Sequence, residues 1–143
     1  MRRALYKAIP DEPWRLVPWI SLGPVVYGEP ILNWRRGFGA QWEYLGRQSR
    51  IDTAYRAESM NTTVFARSGR VQGVLRRAPV VWRGVQVWGA RYSAVRTRLP
   101  TRVKVIGHES DGVEACYSDA GVTLWIERGR VVEVITSGYT EQD

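Results

Sequence analysis

The chain has 143 residues, 44% of them hydrophobic, and it contains seven Trp and seven Tyr. A chain of this length and aromatic content forms one domain with a sizeable core, which excludes an intrinsically disordered protein. Its single cysteine, Cys116, excludes an intrachain disulfide. No stretch approaches the roughly 20 apolar residues of a membrane-spanning helix, and the basic start of the chain, Met1 to Pro10, lacks the apolar run of a signal peptide.

The net charge of +7 is distributed unevenly along the chain. Residues 1–104 contain 19 basic and 6 acidic side chains, whereas residues 105–143 contain 2 basic and 8 acidic ones. From Ser59 to His108 the chain has no acidic residue. A GC-rich coding sequence would explain why arginine outnumbers lysine, but it would not explain the missing acids. These indicate a surface for an anionic partner.

Residues 1–30 hold five of the seven prolines. Because proline fixes φ and removes an amide donor, this composition predicts an extended arm outside the sheet. A short helix is predicted within the arm, from Asp11 to Val17. We expect the arm to be anchored on a neighbouring subunit by three aromatic residues, Trp14, Trp19 and Tyr27.

Residues 31–106 read mainly as strands, because they are rich in Val, Thr, Tyr, Phe and Trp. A helix is the alternative for Asp52 to Met60. The Arg83-Gly84 dipeptide predicts a turn between two strands, the second of which continues to Tyr92. The predicted strands are 31–34, 41–45, 51–57, 62–67, 71–75, 80–82 and 85–92. No internal repeat is evident in the sequence.

Residues 102–137 show the clearest pattern, a strict alternation of apolar and polar residues interrupted by tight turns. Asp111-Gly112 and Arg128-Gly129 are typical of hairpin turns. The pattern predicts a four-stranded antiparallel meander with one wet face. Its predicted buried residues are Val103, Val105, Val122, Leu124 and Ile126.

These elements predict a mainly β fold. We expect an antiparallel barrel or sandwich over residues 31–143, with an extended proline-rich N-terminal arm over residues 1–30 and at most one short helix.

Residues with catalytic or metal-binding chemistry are sparse. His108 is the only histidine, and we interpret it as an exposed loop residue beside a turn rather than a general base. One histidine and one cysteine are too few for a structural zinc site. Gly37-Phe38-Gly39 lacks the third glycine of a dinucleotide-binding turn. We therefore expect no catalytic residue, no metal, no cofactor and no enzymatic activity.

The acid-free segment is the only feature that indicates binding. Arginine guanidinium groups bind phosphates and carboxylates through paired hydrogen bonds. In this segment the arginines alternate with Trp82, Trp88 and Tyr92, whose rings are expected mainly in the core. The predicted anionic-partner face consists of Arg67, Arg70, Arg76, Arg77, Arg83, Arg91, Arg96 and Arg98.

Two functions from different classes fit these observations. The first is a non-enzymatic assembly subunit of a homo- or hetero-oligomer, such as a component of a bacteriophage head or tail. Such a subunit would be assembled in the host cytoplasm and located in the virion. The second is a nucleic-acid-binding β-barrel of the oligonucleotide-binding or SH3-like type, located in the cytoplasm.

Overall fold

A computed structural model describes residues 12–38, 42–48, 51–57, 60–99, 102–108 and 112–138. The chain is mainly β and forms two sheets in which most strands are antiparallel, which confirms the predicted fold class. Among these residues, no helix is both long and apolar enough to cross a lipid bilayer.

Thirteen strands and two short α-helices make up the described fold. The strands are β1 (Trp14–Val17), β2 (Ser21–Leu22), β3 (Val25–Val26), β4 (Trp42–Gln48), β5 (Ile51–Ala57), β6 (Thr62–Arg67), β7 (Arg70–Arg76), β8 (Val80–Trp82), β9 (Val85–Gln86), β10 (Lys104–Gly107), β11 (Gly112–Tyr117), β12 (Val122–Glu127) and β13 (Arg130–Ser137). The helices are α1 (Ile31–Phe38) and α2 (Tyr92–Val95), and α2 continues into a 3-10 turn (Arg96–Arg98).

The large sheet has eight strands in the order β10-β11-β12-β13-β7-β6-β5-β4. It consists of two four-stranded meanders that are joined side by side through the antiparallel pair of β7 and β13. The small sheet has the order β3-β2-β1-β8-β9, and its central pair, β1 and β8, is parallel. The inner face of the large sheet packs against the small sheet, and their buried side chains form one core.

The two halves of the chain are an internal repeat with an offset of 60 residues. Each half contains a short hairpin with a two-residue turn (β2–β3 or β8–β9), a helix (α1 or α2) and a four-stranded meander. At the junction of the meanders, Leu75 pairs with Ile135. On either side of it, Arg76 pairs with Val134 and Val74 pairs with Thr136, and a shift of 60 residues converts one of these pairs into the other. A local pseudo-twofold axis therefore passes between these two residues. β1 lies outside the repeat and fills the space between the two small hairpins.

Backbone details support the repeat. Left-handed backbone recurs at Asn61 and Gly121. The amides of two equivalent residues at the end of the meanders, Arg77 and Ser137, donate to the equivalent carbonyls of Asn61 and Gly121. Both halves also carry a β-bulge at the same place in the fourth strand of the meander, with Gln72 and Val132 as the extra residues. The repeat escapes detection in the sequence because only five of fifteen residues are identical between 62–76 and 122–136.

Three segments differ from their predicted secondary structure. Trp14 and Leu16 are buried and Arg15 is exposed, so the predicted helix at 11–17 is a strand over Trp14–Val17. Ile31 and Trp34 are buried while Leu32 is exposed, which is the three-residue spacing of a helix rather than the predicted strand. The predicted strand over 85–92 ends at Gln86, and a short helix begins at Tyr92.

Residues 12–30 do not extend away from the domain as an arm. β1 pairs in parallel with β8 and antiparallel with β2, and the side chain of Trp14 is 1% exposed. The prolines are accommodated because they stand before β1 and in the connections between short strands, where no ladder hydrogen bond is required of them. The predicted arm over residues 1–11 lies outside the described residues.

Arg76 is fully buried at the end of β7, and it links the two sheets. Its guanidinium carbon lies 3.9 Å from the ring centroid of Trp14. Its nitrogens donate to the carbonyl oxygens of Pro79, Met60 and Glu12 at 2.7–3.2 Å. It also donates to the Thr62 hydroxyl at 3.0 Å. A buried cation is tolerated because these acceptors and the indole face replace water.

The predicted C-terminal meander is confirmed. β10 to β13 pair consecutively and antiparallel, and Val122, Leu124 and Ile126 are buried. Both residues of the Arg128-Gly129 turn have positive φ, as a tight hairpin requires. The Asp111 half of the other predicted turn lies outside the described residues.

Val103 and Val105 are not buried as predicted, because they are 38% and 55% exposed. Alternation predicts correctly that Val105 shares a face with Ala115 and Leu124. The alternation does not predict that β10 is the edge strand of the large sheet, where its inward-facing side chains remain exposed.

Replacing Arg76 with methionine is expected to lower the free energy of unfolding by about 3 kcal/mol or more, because several buried acceptors lose their donor. Urea denaturation followed by circular dichroism measures this change. Arg67→Met is the control, since Arg67 is exposed and its replacement should alter stability by less than about 0.5 kcal/mol. Equal stability of the two variants would contradict the structural role of Arg76.

Replacing Leu124 with alanine is expected to lower the free energy of unfolding by roughly 2–5 kcal/mol, because Leu124 is fully buried. Val105→Ala, on the same face but at the open edge, should cost less than about 1 kcal/mol. The same urea titration compares them, and a large loss for Val105→Ala would show that the edge is covered in solution.

Candidate functional site

The outer edge of β10 is open in the part of the chain that the structure describes, since no strand pairs with it there. The amide of His108 donates to the carbonyl of Gly112 at 2.8 Å, which fixes the hydrogen-bonding phase between β10 and β11. In an antiparallel pair this phase alternates along the strand. The backbone N–H and C=O groups of Val105 and Gly107 therefore point away from β11, toward the open edge.

Beside this edge lies a cavity of about 340 Å³, which we call the β10 groove. One wall is α2 with its 3-10 turn, and the other is the inner face of β10 to β12. The groove is lined by Tyr92, Ser93, Arg96, Val105, Val113, Ile126 and Gly129. Val113 packs against the core, and the Tyr92 hydroxyl is hydrogen-bonded to the Tyr117 hydroxyl at 2.7 Å. The site thus combines an apolar floor with an open strand edge.

Basic side chains surround the groove. Arg96 forms part of its wall, and Arg98 follows in the same 3-10 turn. Arg91 pairs with Arg130 through an isolated β-bridge next to Gly129. Lys104 belongs to β10 itself and is exposed, on the opposite face of the sheet beside Cys116. This part of the surface is therefore positively charged.

The predicted arginine face is not a single surface in the structure. Arg91, Arg96 and Arg98 lie together on the α2 segment beside the groove. Arg67 and Arg70 flank the β6–β7 turn. Because β7 and β13 run antiparallel, that turn lies at the opposite end of the strands from the β12–β13 turn near Arg91.

The other predicted arginines have separate environments. Arg76 is in the core and cannot contact a partner. Arg77 is largely exposed and its Nε lies 2.8 Å from a carboxylate oxygen of the nearly buried Glu133, so part of the charge asymmetry is neutralised within the chain. Arg83 is exposed in the β8–β9 turn.

The three predicted arm anchors contact their own chain. Trp14 is buried against Arg76. Trp19 is partly exposed, and its indole N–H donates to the backbone carbonyl of Asp119 at 2.8 Å. Tyr27 packs against the core, with its hydroxyl hydrogen-bonded to Thr136, and burial raises its pKa well above the usual value. Of the three, Trp19 retains the most surface for another subunit.

His108, Glu114 and Cys116 form a small polar cluster on the outer face of the large sheet. The His108 Nε2 lies 3.1 Å from a Glu114 carboxylate oxygen, and the histidine ring packs edge-on against Trp125. The Cys116 thiol donates to the other Glu114 oxygen at 3.3 Å. Burial raises the pKa of Cys116, and the adjacent Glu114 carboxylate raises it further. The cluster therefore keeps the thiol protonated rather than activating it.

Two further observations bear on chemistry. Among the described residues, no group of three or more His, Cys, Asp or Glu side chains could hold a metal ion. The pKa of Tyr117 is raised, first by burial and then by its hydrogen bond with Tyr92. Its hydroxyl therefore stays neutral and contributes to packing, where Trp82 also meets it edge-on at 5.3 Å.

Comparison of the chain with protein-family models, curated proteins and solved structures finds no match.

The sequence analysis did not identify the β10 groove, because it assigned Val105 to the core. Two signals in the sequence point to an edge strand. Pro100 stands shortly before β10, and basic residues alternate with its valines, both of which are typical of sheet edges. Neither signal reveals the groove itself, because one of its walls is α2, and the predicted strand over 85–92 reaches only the first residue of this helix.

Alkylation of Cys116 by iodoacetamide at pH 8 is expected to be slower than alkylation of a free thiol, since its raised pKa lowers the thiolate fraction. Glu114→Gln removes the neighbouring negative charge, which lowers the pKa of Cys116 and should therefore increase the rate. Glu127→Gln, on a carboxylate bonded to Trp125, is the matched control. Equal rates in the two variants would exclude Glu114 as the cause.

Proposed function

We propose that the protein is a non-enzymatic assembly subunit that binds an extended, acidic segment of a partner protein along the edge of β10. The observation that carries the proposal is the open backbone of Val105 and Gly107, placed beside an apolar groove. A strand added here would bond these groups and direct alternate side chains toward the groove.

Exposed apolar surface at a sheet edge supports a binding role. Natural proteins usually protect an edge strand by shortening it, charging it or covering it, because open edges recruit other strands. Here three apolar side chains remain exposed at the edge, Val103, Val105 and Ile106. Gly107 has open space where a side chain would be, so its backbone is accessible to an incoming strand.

The surrounding charge indicates the kind of partner. Arg96 and Arg98 lie on the helical side of the groove, and Lys104 lies on β10 itself. An acidic strand would be attracted to this surface, which increases its association rate and favours it over neutral competitors.

An assembly subunit of a virus particle, such as a bacteriophage head or tail, is the setting that we propose for this binding. Subunits of large assemblies commonly exchange strands with their neighbours, and such contacts need no catalytic group. Residues 12–30 pack within the domain, so this binding does not require them to reach a neighbour.

Strand addition is tested with Val105→Pro. Proline removes the outward N–H of residue 105 and leaves the β10–β11 hydrogen bonds intact, because those bonds involve the even-numbered residues. Val105→Ala is the matched control, which shortens the side chain but keeps the N–H. The probe is a fluorescein-labelled peptide of alternating glutamate and valine, and the measurement is fluorescence anisotropy.

We expect the peptide to bind the unchanged chain, with affinity that decreases as salt increases. Val105→Pro should weaken binding by at least about tenfold, whereas Val105→Ala should weaken it less than about threefold. Equal binding by both variants, or equal binding of a lysine–valine peptide, would contradict the proposal. Tighter binding of a single-stranded DNA oligomer than of the acidic peptide would instead support the nucleic-acid-binding alternative.

A further inference from the structure

A second cavity, of about 690 Å³, opens at the carboxyl ends of the parallel strands β1 and β8, and we call it the β1–β8 pocket. Its position follows from the topology of the small sheet. After β1 the chain turns to β2 on one side, and after β8 it turns to β9 on the other. Strands whose connections diverge in this way leave a crevice beyond their carboxyl ends, which is where parallel sheets commonly bind ligands.

The walls of the pocket are mainly apolar. Leu16 and Trp82, which are paired across β1 and β8, form its buried floor. Pro18 forms part of one wall, and Ala120 from the β11–β12 turn forms part of the opposite one. A cavity of this size with such a lining is typical of small-molecule sites.

The internal repeat allows the pocket to be compared with the equivalent position in the first half of the chain. The equivalent position in the first half lies beside Leu22, Gly23 and Met60, since these residues correspond to Trp82, Arg83 and Ala120. There the indole ring of Trp14 fills the space, so closely that a Cβ at Gly23 would lie 2.5 Å from it. β1 supplies no such ring at its other end, where it ends at Val17. Trp19 follows two residues later, but its indole lies against Gly121 and does not line the pocket. The β1–β8 pocket is therefore a hollow whose counterpart holds an aromatic ring.

The charge at the mouth of the pocket selects among aromatic ligands. Arg15 and Arg83 line the mouth and are exposed. The Asp119 carboxylate also lies there, but the guanidinium of Arg102 is 3.8 Å from it and offsets its charge. The balance is positive, and two guanidinium groups can bind one carboxylate.

We propose that the β1–β8 pocket binds a small aromatic carboxylate, with its ring against Val17, Pro18 and Val81 and its carboxylate between Arg15 and Arg83. This site is separate from the β10 edge and does not depend on the function proposed for that edge.

The probe is indole-3-propionate, with neutral tryptophol and cationic tryptamine as ring-matched controls. Binding is measured by calorimetry, and its location by backbone amide shifts in two-dimensional NMR. The variants are Arg15→Gln and Arg83→Asn, the latter because asparagine tolerates the positive φ of this position. Arg67→Gln, at the distant β6–β7 turn, is the control.

We expect saturable shifts at Leu16, Arg83 and Ala120 with indole-3-propionate, and weaker binding of tryptophol and tryptamine. Each pocket variant should weaken indole-3-propionate binding by about fivefold and leave tryptophol binding and the melting temperature unchanged, whereas Arg67→Gln should change neither. Absence of saturable shifts at these residues, or equal affinity for tryptophol, would overturn the proposal. Val105→Pro, which tests the β10 edge, should not affect this binding.

Discussion

The stacking of Arg76 on Trp14 is the contact on which the architecture depends. It joins the end of β7, in the large sheet, to β1, the central strand of the small sheet. The guanidinium group also holds carbonyls from three other segments of the chain, so one buried cation replaces hydrogen bonds that water would otherwise supply. Because β1 lies between the two small hairpins, this contact also helps to hold the small sheet on the large one.

Pseudo-twofold symmetry explains why such a strand is needed. Each half of the repeat supplies a short hairpin to the small sheet, and the two hairpins are not paired with each other. β1 fills the gap between them, but a single strand cannot present the same side chains to both halves. Its start presents Trp14 to the first half, and its end presents Val17 and Pro18 to the second. The two meanders of the large sheet are therefore related by the pseudo-twofold axis, whereas the side chains that the β1 segment contributes to each half differ.

Both candidate binding regions are lined mainly by residues of the second half of the repeat. The β1–β8 pocket is open where the first half holds an indole ring, and the β10 groove lies between α2 and the last strand of the second meander. The arginines that the sequence gathers into one segment are divided between these regions, the β6–β7 turn and the core. The arginines therefore occupy at least three kinds of environment. Arg76 is buried in the core, Arg77 is paired with Glu133, and others such as Arg83 are exposed beside a cavity.

Local patterns in the sequence determined the parts of the fold that depend on neighbouring residues. Alternation with tight turns predicts the C-terminal meander and the burial of Leu124, because strand faces and hairpin turns are set by a few consecutive residues. Only the tertiary structure decided which strand lies at an edge, which is why Val105 is exposed although its pattern matches that of Leu124. The same limit applies to Trp14, Arg76 and the repeat. The burial of Arg76 depends on acceptors up to 64 residues away, and equivalent positions in the two halves share geometry more than residue identity.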